Sequence, residues 1–298
     1  MTLGQSDNAL MKLIAISIIV YVGLAFMKAV WYFTYQKELV PALFNKDIMG
    51  LFVMPADFNK ILNRPWTIIT QMFVHDNFWV VFANMLWLWC FGYIMQDLTG
   101  NKKIIPLFIY GSIAGAAAFS LTYNLSPALQ TALPSAVTMG ASAGIMAIAI
   151  ATTMVSPNYR LFPMLRGGIP LWGFTILYVL INVFTISVRD TANIMSHLAG
   201  GAVGFLYIFF LRKGYDWGGW MNNFFEWITN LFNPNKPKKG KSIKEELFYK
   251  ATTTPYKKTP NITQQRIDEI LDKINQQGYE FLTQEEKDLL KRASKEEL

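Results

Sequence analysis

The chain has 298 residues, of which 52% are hydrophobic and only 16% charged, a balance that excludes an ordinary soluble domain and places its first two-thirds among membrane proteins. Its net charge of +7 does not describe a nucleic-acid surface, because the basic residues fall in loops between apolar runs and in a C-terminal tail. The single cysteine, Cys90, excludes an intrachain disulfide and reads as a small buried apolar residue.

Six apolar runs lie at about 13–35, 78–95, 104–123, 142–156, 169–188 and 192–211. Five approach the roughly 20 residues a helix needs to cross about 30 Å of hydrocarbon, and the fourth is short. The first is too long for a cleaved signal peptide and leads into Trp31-Tyr32-Phe33 rather than a small-residue cleavage site. Residues 36–77 form a long connection punctuated by Pro41, Pro55 and Pro65; connections of that length are usually functional. Its stretch from Ile48 to Met54 is apolar but too short to span, which predicts that it dips into the outer interface. Lys102, Lys103, Arg160, Arg166, Arg212 and Lys213 share one side if both termini are cytoplasmic, and the loop at about 124–139 carries no charge. The first external loop holds Lys37, Lys46, Lys60 and Arg64, offset by Glu38, Asp47 and Asp57. This bias predicts cytoplasmic N- and C-termini.

The fourth run opens with Gly140-Ala141-Ser142-Ala143-Gly144, after a segment broken by Pro127 and Pro134. A helix from Ser142 to just before Pro157 covers only about 22 Å. Irregular chain must supply the remaining depth, which is tolerated where it is buried in protein or lines a water-filled cavity. Ser142 is therefore expected on the floor of an aqueous pocket, at the positive end of a helix dipole, beside amides with no intrahelical partner. His197, one of two histidines, lies inside the sixth run, and an ionisable side chain at membrane depth marks a functional site by default. Gly140, Gly144, Gly200 and Gly204 provide small faces that let helices approach closely. The glycine-flanked serine alone is more often a packing feature, and the histidine alone equally a structural hydrogen-bonder. Together with the short helix they form a nucleophile and a general base.

Beyond Lys213, Trp217, Trp220, Phe224, Trp227, Ile228 and Leu231 recur at helical spacing, predicting an amphipathic interfacial helix over 214–233. Residues 234–261 read as a basic disordered linker, its lysines suited to an anionic leaflet or simply solvated. Residues 262–298 predict a small helical hairpin: an apolar stripe of Ile267, Ile270, Leu271 and Ile274 ends near Gly278, and Thr283-Gln284-Glu285-Glu286 forms a capping box.

At these residues the chain resembles the rhomboid family of intramembrane serine proteases, over roughly residues 10–215. The resemblance implies an all-α membrane protein with a six-helix core over 1–213 and a cytoplasmic tail, most simply in a bacterial plasma membrane. It implies a dyad without an acid, Ser142 as nucleophile and His197 as base and then acid. Cofactors are not implied; the expected partners are transmembrane protein substrates and the lipid bilayer, and no nucleic acid. The second run resembles the family's His-x4-His-x3-Asn motif through His75 and Asn84. By resemblance, Asn84 and the Ser142 amide would donate to the oxyanion and His75 would brace the first loop; a polar interhelical contact is an alternative use of Asn84. Three departures stand out: Val80 at the motif's second histidine, Trp66-Thr67 where many members have Trp-Arg, and Met146 where an aromatic often packs against the histidine. The terminal hairpin resembles a small domain of unknown role appended to some bacterial members. Val80 keeps open a rhomboid-like pseudoenzyme that binds transmembrane clients without cutting them. An ion-coupled transporter is disfavoured, because the runs contain no Asp, Glu or Arg and Lys28 can snorkel outward.

Overall fold

In the computed structural model, which describes residues 8–162, 168–185, 190–231 and 264–294, Asn8 opens helix α1 (Ala9–Thr34) by accepting the Met11 amide at 3.2 Å. The long connection that follows is folded. It contains α2 (Val40–Asp47), a two-residue strand β1 (Met54–Pro55), α3 (Phe58–Asn63) and α4 (Thr67–Thr70). The apolar stretch 48–54 packs in part on the protein itself. Met49 and Val53 are buried with Leu24 of α1, Phe44 and Val74, because packing on α1 removes their apolar surface from water within the protein itself.

Helices α5 (Phe78–Thr99) and α6 (Ile104–Leu125) follow, then β2 (Val137–Thr138) and α7 (Ser142–Val155). Strands β3 (Arg160–Leu161) and β4 (Ile169–Pro170) precede α8 (Leu171–Thr185), α9 (Thr191–Arg212) and α10 (Gly219–Leu231). Among the described residues four helices are long and apolar enough to cross a membrane: α1, α5, the stretch Asn101–Leu125 that contains α6, and α9. Helices α7 and α8 are shorter apolar helices. The fifth apolar run begins as strand rather than helix, since Ile169 and Pro170 pair with Leu161 and Arg160. The first loop likewise holds a short ladder, where β1 pairs antiparallel with β2. Both ladders are two residues long, and they satisfy backbone polar groups that no helix reaches.

The core is built where α6, α7 and α9 meet. A Cβ at Gly200 would collide with the Ala143 carbonyl, one at Gly204 with the Ala147 carbonyl, and one at Gly144 with Ser112 and Phe108 of α6. Backbones this close gain dispersion contacts along their length, the main source of helix association in lipid. Helix α8 docks through aromatics instead: Trp87 and Phe91 of α5 lie 4.8 to 5.4 Å from Phe174 and Tyr178, centroid to centroid. The segment leading into α10 is clasped to the core by Asp216, which accepts from Lys103, Tyr207 and the Gly218 amide. Burial alone would raise the Asp216 pKa, but the Lys103 and Gly218 hydrogen bonds outweigh it and hold the carboxyl below its ordinary value. Trp220 donates to the Tyr110 hydroxyl, which donates to the Trp217 carbonyl.

The chain divides into two compact units, Met1–Phe232 and Asn233–Leu298. The second contains α11 (Gln264–Gln277) and α12 (Gln284–Ala293). Gly278, with φ 95°, ends α11. Ile267, Ile270, Leu282 and Leu289 form its core. The Thr283 amide donates to Glu286 at 2.7 Å and the Glu286 amide to the Thr283 hydroxyl at 3.3 Å, the reciprocal capping pair read from the sequence. The expected linker at 234–261 lies outside the described residues.

The glycine contacts make a paired prediction. Gly204→Val should lower stability by about 1–3 kcal/mol, the range for overpacking, measured by unfolding in detergent. Gly23, mid-helix in α1 with nothing within 4 Å of an added Cβ, should instead gain roughly 0.5–1 kcal/mol on replacement by alanine.

Candidate active site

The turn that leads into α7 is set by the first loop. Gly140 has φ 108°, a conformation in which an L side chain is strained, and its amide donates to the Gln71 carbonyl at 2.8 Å. One step earlier β2 pairs with β1. The Ala56 amide donates to the Ala136 carbonyl at 2.9 Å, and Asn124 donates to the Ala56 carbonyl at 2.8 Å. Helix α7 then starts at Ser142 with no side-chain cap. Ile145 is the residue whose amide first reaches back, to the Ala141 carbonyl at 2.9 Å. The amides of Ser142, Ala143 and Gly144 stand ahead of the ladder, so the positive end of the helix is uncapped at the serine.

Helix α9 brings the histidine. Asp190 caps it, accepting from the Asn193 amide at 3.3 Å and from the Asn193 side chain at 2.5 Å. His197 lies seven residues on, two turns further along the same face. Because Gly200 lets α9 rest on the Ala143 carbonyl, Nε2 of His197 comes to 2.7 Å from Oγ of Ser142. With Nε2 as acceptor the imidazole proton is on Nδ1, and Nδ1 is buried with no hydrogen-bond partner among the described residues. The pair is therefore arranged for proton transfer from hydroxyl to imidazole, with no carboxylate bonded to the far nitrogen.

Asn84 is brought to the same turn by α5: a Cβ placed on Gly140 would lie 3.9 Å from its Nδ2. Val80, one turn before Asn84, is 41% exposed, and its amide is bonded to the Asn77 side chain at 3.0 Å. His75 is not brought to the Ser142–His197 pair. It is buried in the first loop, Nδ1 at 3.2 Å from the Phe73 carbonyl and Nε2 without a partner among the described residues. Burial holds its pKa below the ordinary histidine value, against the opposing pull of the Phe73 carbonyl and Asp76. Gly140 and Gly144 flank Ser142, and Gly200 and Gly204 set the approach of α9. Met146 walls a cavity of about 290 Å³ beside His197, with Ile150, Val179, Ile194 and Phe205.

Sequence reasoning missed the residues that hold the turn. Gln71 acts through its carbonyl and Ala56 through its backbone, and neither role leaves a residue-type signal. Arg64, two residues before Trp66, donates to the Gly50 carbonyl at 2.7 Å, Trp66 to the Leu51 carbonyl at 2.8 Å and Thr70 to the Phe52 carbonyl at 2.7 Å. An arginine thus braces the loop although Thr67 follows the tryptophan. Among the described residues there is no group of three His, Cys, Asp or Glu side chains that could hold a metal ion.

A family model described as a rhomboid domain matches residues 62–214, and one described as a family of unknown function matches residues 255–296. The chain is similar to rhomboid protein 1, mitochondrial, of Saccharomyces cerevisiae, 27% identical over 200 residues that make up 61% of this chain and 56% of that relative. It thus spans little more than half the length of that protein.

The strained turn supplies the test of this geometry. Gly140→Ala should cost about 1–2 kcal/mol, the penalty for an L residue in left-handed conformation, read as a lower unfolding midpoint in detergent. An unchanged midpoint would show that the turn relaxes without glycine.

Proposed function

The chain belongs to the rhomboid family, and on that premise we propose that it is an intramembrane serine endopeptidase with Ser142 as nucleophile and His197 as general base. The observation that carries this reading is the 2.7 Å contact between Oγ and Nε2 at the uncapped start of a short apolar helix. Oγ attacks the scissile carbonyl while Nε2 takes its proton; the imidazolium then protonates the leaving amine, and water repeats the sequence to release the acyl group. The oxyanion forms at the first amides of α7, with Asn84 Nδ2 supplying a side-chain donor. A single such donor is worth about 3 kcal/mol.

In this reading α7 and α8 complete six crossings with α1, α5, α6 and α9, and both termini are cytoplasmic, as the Lys and Arg bias supports. The membrane is taken to be a bacterial plasma membrane. The irregular chain before Ser142 lines the water-accessible side, so hydrolysis has its second reactant. Substrates are membrane proteins whose transmembrane helix unwinds near its outer end, because an intact helix hides its carbonyls from a nucleophile. The hairpin at α11 and α12, on the cytoplasmic side, serves regulation or partner binding rather than bond cleavage. The alternative is a family member that binds transmembrane clients without cutting, favoured by Val80, which offers no side-chain donor one turn from Asn84. Labelling by a serine-directed fluorophosphonate separates the two: modification of Ser142 supports the protease, and none supports the binder.

Either Ser142→Ala or His197→Ala should abolish cleavage of a model transmembrane substrate, with the double variant no worse than either, since the two act as one unit. Substantial cleavage by Ser142→Ala would sink the assignment. Asn84→Ala should lower kcat by roughly 10- to 1,000-fold, the range for one lost oxyanion donor, while leaving the unfolding midpoint close to that of the parent. Unaltered turnover would remove Asn84 from the oxyanion site.

A further inference from the structure

Between α1, the first loop and the start of α5 lies a cavity of about 540 Å³, within the size range of small-molecule sites. Its walls combine two kinds of surface. Leu24, Phe44 and Met49 are apolar and buried. Lys28 and Asp76 bring one charge of each sign, and Tyr21 and Tyr32 bring hydroxyls. Among the described residues Lys28 has no ion-pair partner and Asp76 is bonded only to its neighbour, Asn77, at 3.0 Å. The lysine is only half-exposed, so it lines the cavity rather than extending freely into water. The cavity also meets the first residues of α5, whose cap is Asn77, adding the positive end of a 22-residue helix. His75 closes the wall, its Nε2 buried and unpartnered.

The depth of the cavity narrows the choice of ligand. Lys28 lies about 28 Å along the axis from the first residue of α1 at 1.5 Å per residue, close to the roughly 30 Å thickness of the hydrocarbon layer. Trp31, Tyr32 and Tyr35 follow within two turns, the residue types that mark the level of lipid headgroups. Phe26 at 69% and Phe33 at 92% exposure leave this part of α1 with an uncovered apolar surface, as a lipid-facing helix has. A ligand here therefore meets one cation and one anion at headgroup height, above an apolar wall.

We propose that this cavity holds the headgroup of a zwitterionic phospholipid, its phosphate at the Lys28 ammonium and its primary ammonium at Asp76. The two charges of the lipid match the two unpaired charges of the wall. Tyr21 and Tyr32 can donate to remaining phosphate oxygens, and the glyceride portion lies against Leu24, Phe44 and Met49. The lipid would tie α1 to the first loop as a structural ligand, whatever chemistry Ser142 performs.

The test is native mass spectrometry of the full chain in detergent, titrated with phosphatidylethanolamine, with phosphatidylglycerol of the same acyl chains, and with O-phosphoethanolamine as a lipid-free headgroup. Phosphatidylethanolamine should bind most tightly. Lys28→Met should weaken it about tenfold, the loss of one charge-assisted hydrogen bond, while Lys28→Arg retains it. Asp76→Asn, at an exposed position, should abolish the preference over phosphatidylglycerol and serves as the test should Lys28→Met not fold. Unchanged binding by Lys28→Met, or equal binding of the two lipids by the parent protein, would overturn the proposal. Displacement of the lipid by equimolar O-phosphoethanolamine would overturn the lipid as the source of the phosphate.

Discussion

The contact between α7 and α9 at Gly200 and Gly204 is the constraint on which the rest of the core depends. A side chain at either position would occupy the space of a carbonyl on α7, so the two backbones touch without intervening atoms. Serine is a short nucleophile, and a histidine on a neighbouring helix reaches it only when the helix axes are this close. At a more usual interaxial distance of 8–10 Å the pair would need a longer side chain or a bridging water. The same closeness is carried to α6 by Gly111 and Gly115, where a Cβ would collide with Ala147 and Ala143. Three helices are thus held by their backbones, and the 2.7 Å separation of Oγ and Nε2 follows from the packing rather than from any bond directed at the histidine.

The other half of the arrangement is the start of α7. A helix that begins at depth exposes its first amides and the carbonyls of the chain before it, and these must be paired or wetted. The first loop does most of the pairing. Its Gln71 carbonyl takes the Gly140 amide, its β1 strand takes β2, and Lys60 donates to the Pro134 carbonyl. What it leaves free is the set of amides at Ser142, Ala143 and Gly144. The loop therefore satisfies the chain before the serine and spares the donors at it. The length of the first loop, puzzling in the sequence, has this physical use: an element outside the helix bundle fixes where a helix inside it begins.

Much of this was legible in the residues, and the failures have identifiable causes. The start at Ser142 could be read because Gly140 and the prolines before it break a helix locally, and the Thr283 capping pair because both partners lie within four residues. The histidine was legible from the cost of an ionisable group in an apolar run. The folded first loop was not: a helix of eight residues such as α2 is marginal alone and exists here because Phe44 packs against Leu24 and Trp31 of α1. The short strand at the head of the fifth run was not legible either. An apolar run encodes burial but not backbone conformation, and Ile169-Pro170 is apolar in a strand as it would be in a helix. Backbone-to-backbone ties such as Gly140 to Gln71 leave no trace in residue type at all.

The asymmetry of the site bears on how such a pair would work. The first amides of α7 and Nδ2 of Asn84 lie at the turn before Ser142, whereas among the described residues the far nitrogen of His197 meets no acceptor. Transferring the serine proton creates an anion and a cation together, and at 2.7 Å they stabilise one another most strongly where the dielectric is low. An acid behind the histidine would hold the imidazolium but would also have to be buried, at a desolvation cost of several kcal/mol in an apolar bundle. Asp190 stands at the end of the same helix, occupied with the Asn193 amide and side chain, where its charge costs little and acts only from a distance. In a bilayer, stabilising the anion with neutral backbone dipoles and leaving the cation to its partner avoids a second buried charge. The uncapped end of α7 provides those dipoles without introducing any ionised group, which is why the short helix and the missing acid belong to one solution.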